Sequence, residues 1–163
     1  MPKSSLKELF EPSSLAVIGA SSNPAKIGHE VLRNIIDGGY RGQIFPVNPR
    51  TPEILGLKTY TSVEKIPVPI DLAVVAIPSA FVPGVMEECA EKGVKAAIII
   101  SGGFREVGEE GRRLEESLIE IAVKSGIRIV GPNCQGVNVP SSGLAATFGG
   151  LARKPGPIPH TWV

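Results

Sequence analysis

Three short runs in this chain are apolar from end to end: residues 15–20 (LAVIGA), 72–77 (LAVVAI) and 96–100 (AAIII). Each has strand length and branched side chains, and the first two are bounded by Pro12 and a Ser/Asn/Pro loop and by Pro78. A run with no polar alternation fits a strand buried on both faces. Such a strand must be covered above and below, which leaves few architectures open to the chain.

Segments at helical spacing supply the cover. From Ile27, the residues Val31, Leu32, Ile35 and Ile36 recur at helical intervals until Gly38-Gly39. Val82, Val85, Met86, Cys89 and Ala90 mark a second helix that ends at Gly93. Leu114, Leu118, Ile121, Ala122 and Ser125 place a third, stopped by Gly126, with Glu109 and Arg113 spaced for a surface ion pair. Two more strands, 43–47 and 128–130, are closed by Asn48-Pro49 and by Gly131-Pro132-Asn133.

This alternation predicts right-handed βαβ crossovers and an α/β fold: Rossmann-like, doubly wound, with a mainly parallel sheet and helices on both faces. At 163 residues the chain has the size of one domain. Residues 1–150 are expected to form it, with 151–163 as a tail or truncated linker to a missing second domain. The Gly- and Pro-rich stretch from Ser141 onward has no clear period and reads as linker or frayed end.

Seventeen basic residues against 16 acidic ones leave a net charge of +1, so no overall field draws the chain to nucleic acid or to an anionic membrane. An anionic ligand would have to be caught locally. No stretch approaches the ~20 apolar residues of a membrane span, and a soluble, cytoplasmic protein is expected. Cys89 and Cys134 form no CxxC pair and have no histidine at metal-ligand spacing, which suits two reduced thiols.

In an open parallel sheet, ligands bind beyond the carboxyl ends of the strands. The loops there are 21–28 (SSNPAKIG), Asn48-Pro49-Arg50, Pro78-Ser79, 101–104 (SGGF) and 131–136 (GPNCQG). The first carries Lys26 and leads into a helix whose N-terminal N–H groups can receive a phosphate. A tight turn with capping serines is the plainer account of the same residues. A dinucleotide fingerprint would need glycines at Ser21 and Pro24.

Arg50 stands where a dinucleotide-binding domain would place an acidic residue on the ribose hydroxyls, and a cation there suits a phosphorylated ribose. A solvated surface charge is the alternative. Ser101-Gly102-Gly103 allows close backbone approach of a ligand, or is a simple turn. Glu106, Glu109 and Glu110 read as first-turn helix acids rather than catalytic carboxylates. Cys89 reads as core, and Cys134 as either a small buried residue or part of the site wall. His29, at the first turn of a helix, is expected to be structural and uncharged. Neither His29 nor His160 has the company of a triad or a metal site.

The segments FEPSSLAVIGASSNPAKIG, IFPVNPRTPEILGLKTY, DLAVVAIPSAFVP, IIISGGFREVGEEG and RIVGPNCQGVN, in this order, resemble the N-terminal CoA-binding domain of ADP-forming acetyl-CoA or acyl-CoA synthetases. More distantly they resemble the α subunit of succinyl-CoA synthetase. The resemblance covers roughly residues 10–150 and implies a site for coenzyme A. Gly19, Ala20, Ser21 and Ser22 would surround the phosphates, with Lys26 nearby. Asn48, Pro49 and Arg50 would face the phosphorylated ribose, and Pro78 and Ser79 the adenine or its linker. Ile100, Ser101 and Gly102 would line the pantetheine, with Asn133 and Cys134 close to the thiol end.

The resemblance also implies CoA or acyl-CoA as partner and an ATP-grasp subunit or domain alongside. The family's phosphohistidine lies in a following domain that these 163 residues do not include, so the chain is expected to bind without turning over. Self-association is left open. Two rival readings are an NADP-binding Rossmann domain of an oxidoreductase and a stand-alone CoA-responsive interaction module.

Overall fold

The computed structural model describes residues 6–149; the segment 150–163, with His160, lies outside the described residues. A short helix α1 (Lys7–Phe10) precedes strand β1 (Ser14–Ile18), helix α2 (Ile27–Asp37) and strand β2 (Gln43–Val47). A small hairpin comes next, β3 (Glu53–Ile54) and β4 (Leu57–Lys58). Then come β5 (Leu72–Val75), α3 (Val82–Lys92), β6 (Ala96–Ile99), α4 (Glu109–Ser125) and β7 (Arg128–Val130). A second hairpin, β8 (Gly136–Val139) and β9 (Leu144–Thr147), ends the described fold.

The main sheet has the order β2-β1-β5-β6-β7, and all four pairings are parallel. Every residue of β1, β5 and β6 is buried. Their side chains alternate between two cores. Leu15, Val17, Leu72, Val74, Ala96 and Ile98 pack with Val31, Leu32 and Ile35 of α2. Ala16, Ile18, Ala73, Val75, Ala97 and Ile99 pack with Met86 and Cys89 of α3 and Leu118 of α4. In register, Ala16, Ala73 and Ala97 form one row of small residues across three strands. The next row on that face, Ile18, Val75 and Ile99, is large, and alternating small with large rows lets layers interdigitate.

The expected fold class therefore holds, with α2 on one face and α3 and α4 on the other. Glu109 and Arg113 pair at 3.5 Å, though Arg112 lies closer to Glu109, at 2.8 Å. Glu106, expected in the first turn of the last helix, sits instead in a 3-10 turn (Arg105–Val107) ahead of α4, where its carboxylate accepts the Gly103 N–H.

The region from Ser141 onward is not linker where it is described. Leu144, Ala145, Ala146 and Thr147 are buried, and β9 pairs antiparallel with β8. Leu144 and Ala146 join the α2 core, the Asn34 side chain donates to the Thr147 carbonyl (2.8 Å), and the Gly149 N–H donates to the Glu30 carboxylate (2.9 Å). A Leu-Ala-Ala-Thr strand carries little intrinsic strand signal, since tertiary packing rather than propensity decides such segments. We expect Leu144→Ala, at a site with no exposed surface, to cost about 3 kcal/mol in urea unfolding, the usual loss for a buried Leu; a loose tail would lose almost nothing.

Candidate functional site

The chain runs from β1 to β2 on one side and returns to place β5 on the other side of β1. Connections therefore diverge on either side of β1, and in open α/β sheets a crevice forms at such a switch point. A cleft of about 960 Å³ opens there, large enough for a nucleotide-sized ligand.

Backbone contact shapes its floor. Gly19, at φ +91°, ends β1, and a Cβ on it would lie 2.3 Å from the Ala76 carbonyl oxygen after β5. A Cβ on Gly28, in the first turn of α2, would lie 1.8 Å from the Gly19 carbonyl oxygen. Only glycine lets the ends of two strands and the start of a helix meet this closely.

Side-chain capping of α2 is absent. Lys26 occupies the N-cap position with extended backbone and makes no cap hydrogen bond, and the Ser21 hydroxyl accepts from Asn23 N–H instead. The N–H groups of His29 and Glu30 turn back to the Lys26 carbonyl, so Ile27 and Gly28, both lining the cleft, hold the open end of the helix. Capping serines therefore do not explain the 21–28 loop. Lys26 and Arg50 line the same cleft, and neither forms an ion pair with a carboxylate among the described residues.

Of the residues singled out from the sequence, Gly19, Ala20, Ser21, Lys26, Asn48, Pro49, Arg50, Pro78, Ile100, Ser101 and Gly102 all line this cleft. Ser22, Ser79, Asn133 and Cys134 do not. Ser22 is exposed, and Ser79 starts a 3-10 turn next to Gly103. Asn133 sits beside the cleft's far end: its N–H donates to the Ser101 carbonyl at 2.9 Å, and its side-chain oxygen would lie 3.2 Å from a Cβ on Gly102.

The Asn48 amide is committed to the protein on both sides, donating to the Ala20 carbonyl (2.8 Å) and accepting from the N–H groups of Arg50 (2.8 Å) and Thr51 (3.1 Å). The Ser101 hydroxyl accepts from Ile77 N–H (3.1 Å), tying the loop after β6 to the loop after β5. Ala25, Ile27 and Gly28 fall within the 21–28 loop named from the sequence, whereas Ala76, Ile77 and Phe81 were not singled out as wall residues. Phe81 carried a usable signal, being an aromatic three residues past a strand-ending proline, and it is 65% exposed.

The two thiols differ. Cys89 is fully buried on α3, and burial, with the Glu88 charge behind it, pushes its pKa up to about 12. Cys134 is half-buried and directed at the Ile99 carbonyl, with its pKa also raised, chiefly by burial. Both favour the neutral thiol, which is the unreactive form.

A parallel sheet with a switch-point cleft, a glycine-lined floor, a helix N-terminus without a side-chain cap and two cations in the lining defines a Rossmann-like domain. More particularly, the chain belongs to the CoA-binding-domain family, which matches residues 13–140. It is 50% identical over 158 residues to the α subunit of acetate–CoA ligase [ADP-forming] I of Pyrococcus furiosus, covering 94% of this chain and 34% of that one. The α subunit of acetate–CoA ligase [ADP-forming] II of the same organism is 48% identical over 150 residues, covering 91% and 32%.

Among solved structures, the dinucleotide-forming acetyl-coenzyme A synthetase 1 of Ca. Korarchaeum cryptofilum, in complex with phosphate and ADP, superposes with a TM-score of 0.86 at 44% identity, over 90% of this chain and 31% of that chain. The chain thus spans about a third of the length of these curated relatives.

With both pKa values raised, thiol titration with an aromatic disulfide reagent at pH 7 should show Cys134 reacting slowly and Cys89 only after unfolding. Fast labelling of the native protein at Cys89 would contradict its place in the core.

Proposed function

We propose that this chain binds coenzyme A in the cleft between β1 and β5, as the CoA-binding part of an ADP-forming acyl-CoA ligase. The observation that carries the reading is the uncapped start of α2, opening into a cleft that Lys26 and Arg50 also line, in a chain of this family. An open helix N-terminus presents N–H donors and the positive end of the helix dipole, which suits a diphosphate. Lys26 adds a mobile point charge beside it.

Arg50, beyond the end of β2, is assigned to the ribose phosphate that distinguishes CoA from dephospho-CoA. Gly19, Ala20 and Ser21, with Ser22 at the edge, take the diphosphate side. Pro78 and the exposed ring of Phe81 are assigned to adenine or its linker, with Ser79 next to Pro78 outside the cleft lining. Ile100, Ser101 and Gly102 lead the pantetheine arm towards Asn133 and Cys134 at the far end. In this reading CoA is a substrate of the larger enzyme, held here and acylated elsewhere.

Residues 1–150 are then the binding domain and 151–163 the join to a second domain. An ATP-grasp partner supplies the activated acyl group, and the location is the cytoplasm. No helix among the described residues is long and apolar enough to cross a membrane, which agrees with that placement.

The NADP alternative has a cation at the right strand end but lacks the glycine pattern, and the CoA-binding-domain match runs through the cleft loops. Calorimetric titration with CoA, dephospho-CoA and NADP tests the assignment. CoA should bind most tightly, and Arg50→Ala should weaken CoA by about tenfold or more, the worth of a charge-assisted hydrogen bond, while leaving dephospho-CoA nearly unchanged. Equal binding of CoA and dephospho-CoA by the unmodified chain would remove Arg50 from the site, and preference for NADP would replace the ligand.

A further inference from the structure

His29 is only 5% exposed, and its Nδ1 lies 2.8 Å from the Ser21 carbonyl oxygen. A carbonyl can only accept, so Nδ1 carries a proton in this contact. Nε2 is buried and has no hydrogen-bond partner among the described residues. Leaving a buried polar atom unmatched is a standing cost to folding, and an apolar side chain of similar size would avoid it. The retained imidazole is explained if its donor serves something other than stability.

What it holds is the backbone of the cleft. Ser21 lines the cleft and His29 does not. The Ser21 carbonyl is drawn onto the buried ring, and the preceding carbonyl, that of Ala20, is drawn onto the Asn48 amide at 2.8 Å. Two successive carbonyl oxygens of the loop are therefore each occupied by a side-chain donor from another part of the fold. In a trans peptide unit the N–H points opposite to its C=O. Fixing the Ser21 carbonyl fixes the Ser22 N–H, and fixing the Ala20 carbonyl fixes the Ser21 N–H. A peptide free to flip would turn a carbonyl dipole of the wrong sign towards an anion.

We propose that His29 is a positioning residue for the anion loop, holding the Ser21 carbonyl away from the bound diphosphate through Nδ1–H at the expense of its own unmatched Nε2. The proposal rests on the assignment of CoA to the cleft. It requires no contact between His29 and the ligand, and Asn48 does the same for Ala20.

The test compares His29→Asn, His29→Gln and His29→Leu by calorimetry with CoA and by urea unfolding. The Asn amide nitrogen falls where Nδ1 stands and restores the donor, whereas Gln carries its nitrogen nearer the Nε2 position. Asn should bind CoA within about threefold of the parent, and Gln and Leu should bind about tenfold or more weakly, the loss of one hydrogen bond converted to affinity. Urea unfolding checks that each variant is folded under the conditions of the titration.

Equal affinities for the Asn and Gln variants, whether both like the parent or both weakened, would overturn the proposal. So would a Leu variant that binds as the parent does. Failure of the parent itself to bind CoA would instead bring down the assignment of the cleft, and this proposal with it.

Discussion

β1, β5 and β6 bury every side chain they carry, on both faces of the sheet, and the remaining architecture is a response to that burial. Removing both faces of a strand from water demands a layer on each side, supplied by α2 with the β8–β9 hairpin and by α3 with α4. No face is left to receive a ligand. The amino ends of the strands are closed by the protein's own contacts: the Asp71 carboxylate accepts from Ser13 N–H, and the Ser14 hydroxyl donates to the Pro69 carbonyl. The carboxyl ends are where glycine and open N–H groups collect.

Within the cleft, charge and geometry come from different residues. Lys26 and Arg50 bring charge on exposed side chains, while Asn48, Ser101 and His29 spend their polar atoms on neighbouring backbone. A loop that meets an anion through backbone N–H groups needs those groups fixed before the ligand arrives, because ordering them afterwards would subtract from affinity. Asn48 shows that a residue can line the cleft and still spend both its amide nitrogen and its amide oxygen on neighbouring backbone.

Much of this was legible in the residues. The five strands of the main sheet and the three long helices come directly from apolar runs and helical spacing, since both signals report burial against a sheet. The two hairpins escaped. β3 and β4 are two residues each, joined by Leu55-Gly56 with both φ values positive, and the Leu at the first of these positions is not a usual turn signal. β9 is small-residue chain held by what it touches. His29 was legible as structural but not for what it holds, because a hydrogen bond to a carbonyl eight residues back leaves no periodic trace. Phe81 was not singled out from the sequence, although Pro78 before it marks the strand's end.

The meeting of Gly19 and Gly28 has one more implication. Where one backbone lies 1.8 Å from the place a methyl group would take, descendants of this sequence have nothing to vary: any larger residue must push the helix off the strand. Room for change in what the domain accepts lies instead with the exposed side chains of Lys26, Arg50 and Phe81, which line the same cleft without such backbone contact.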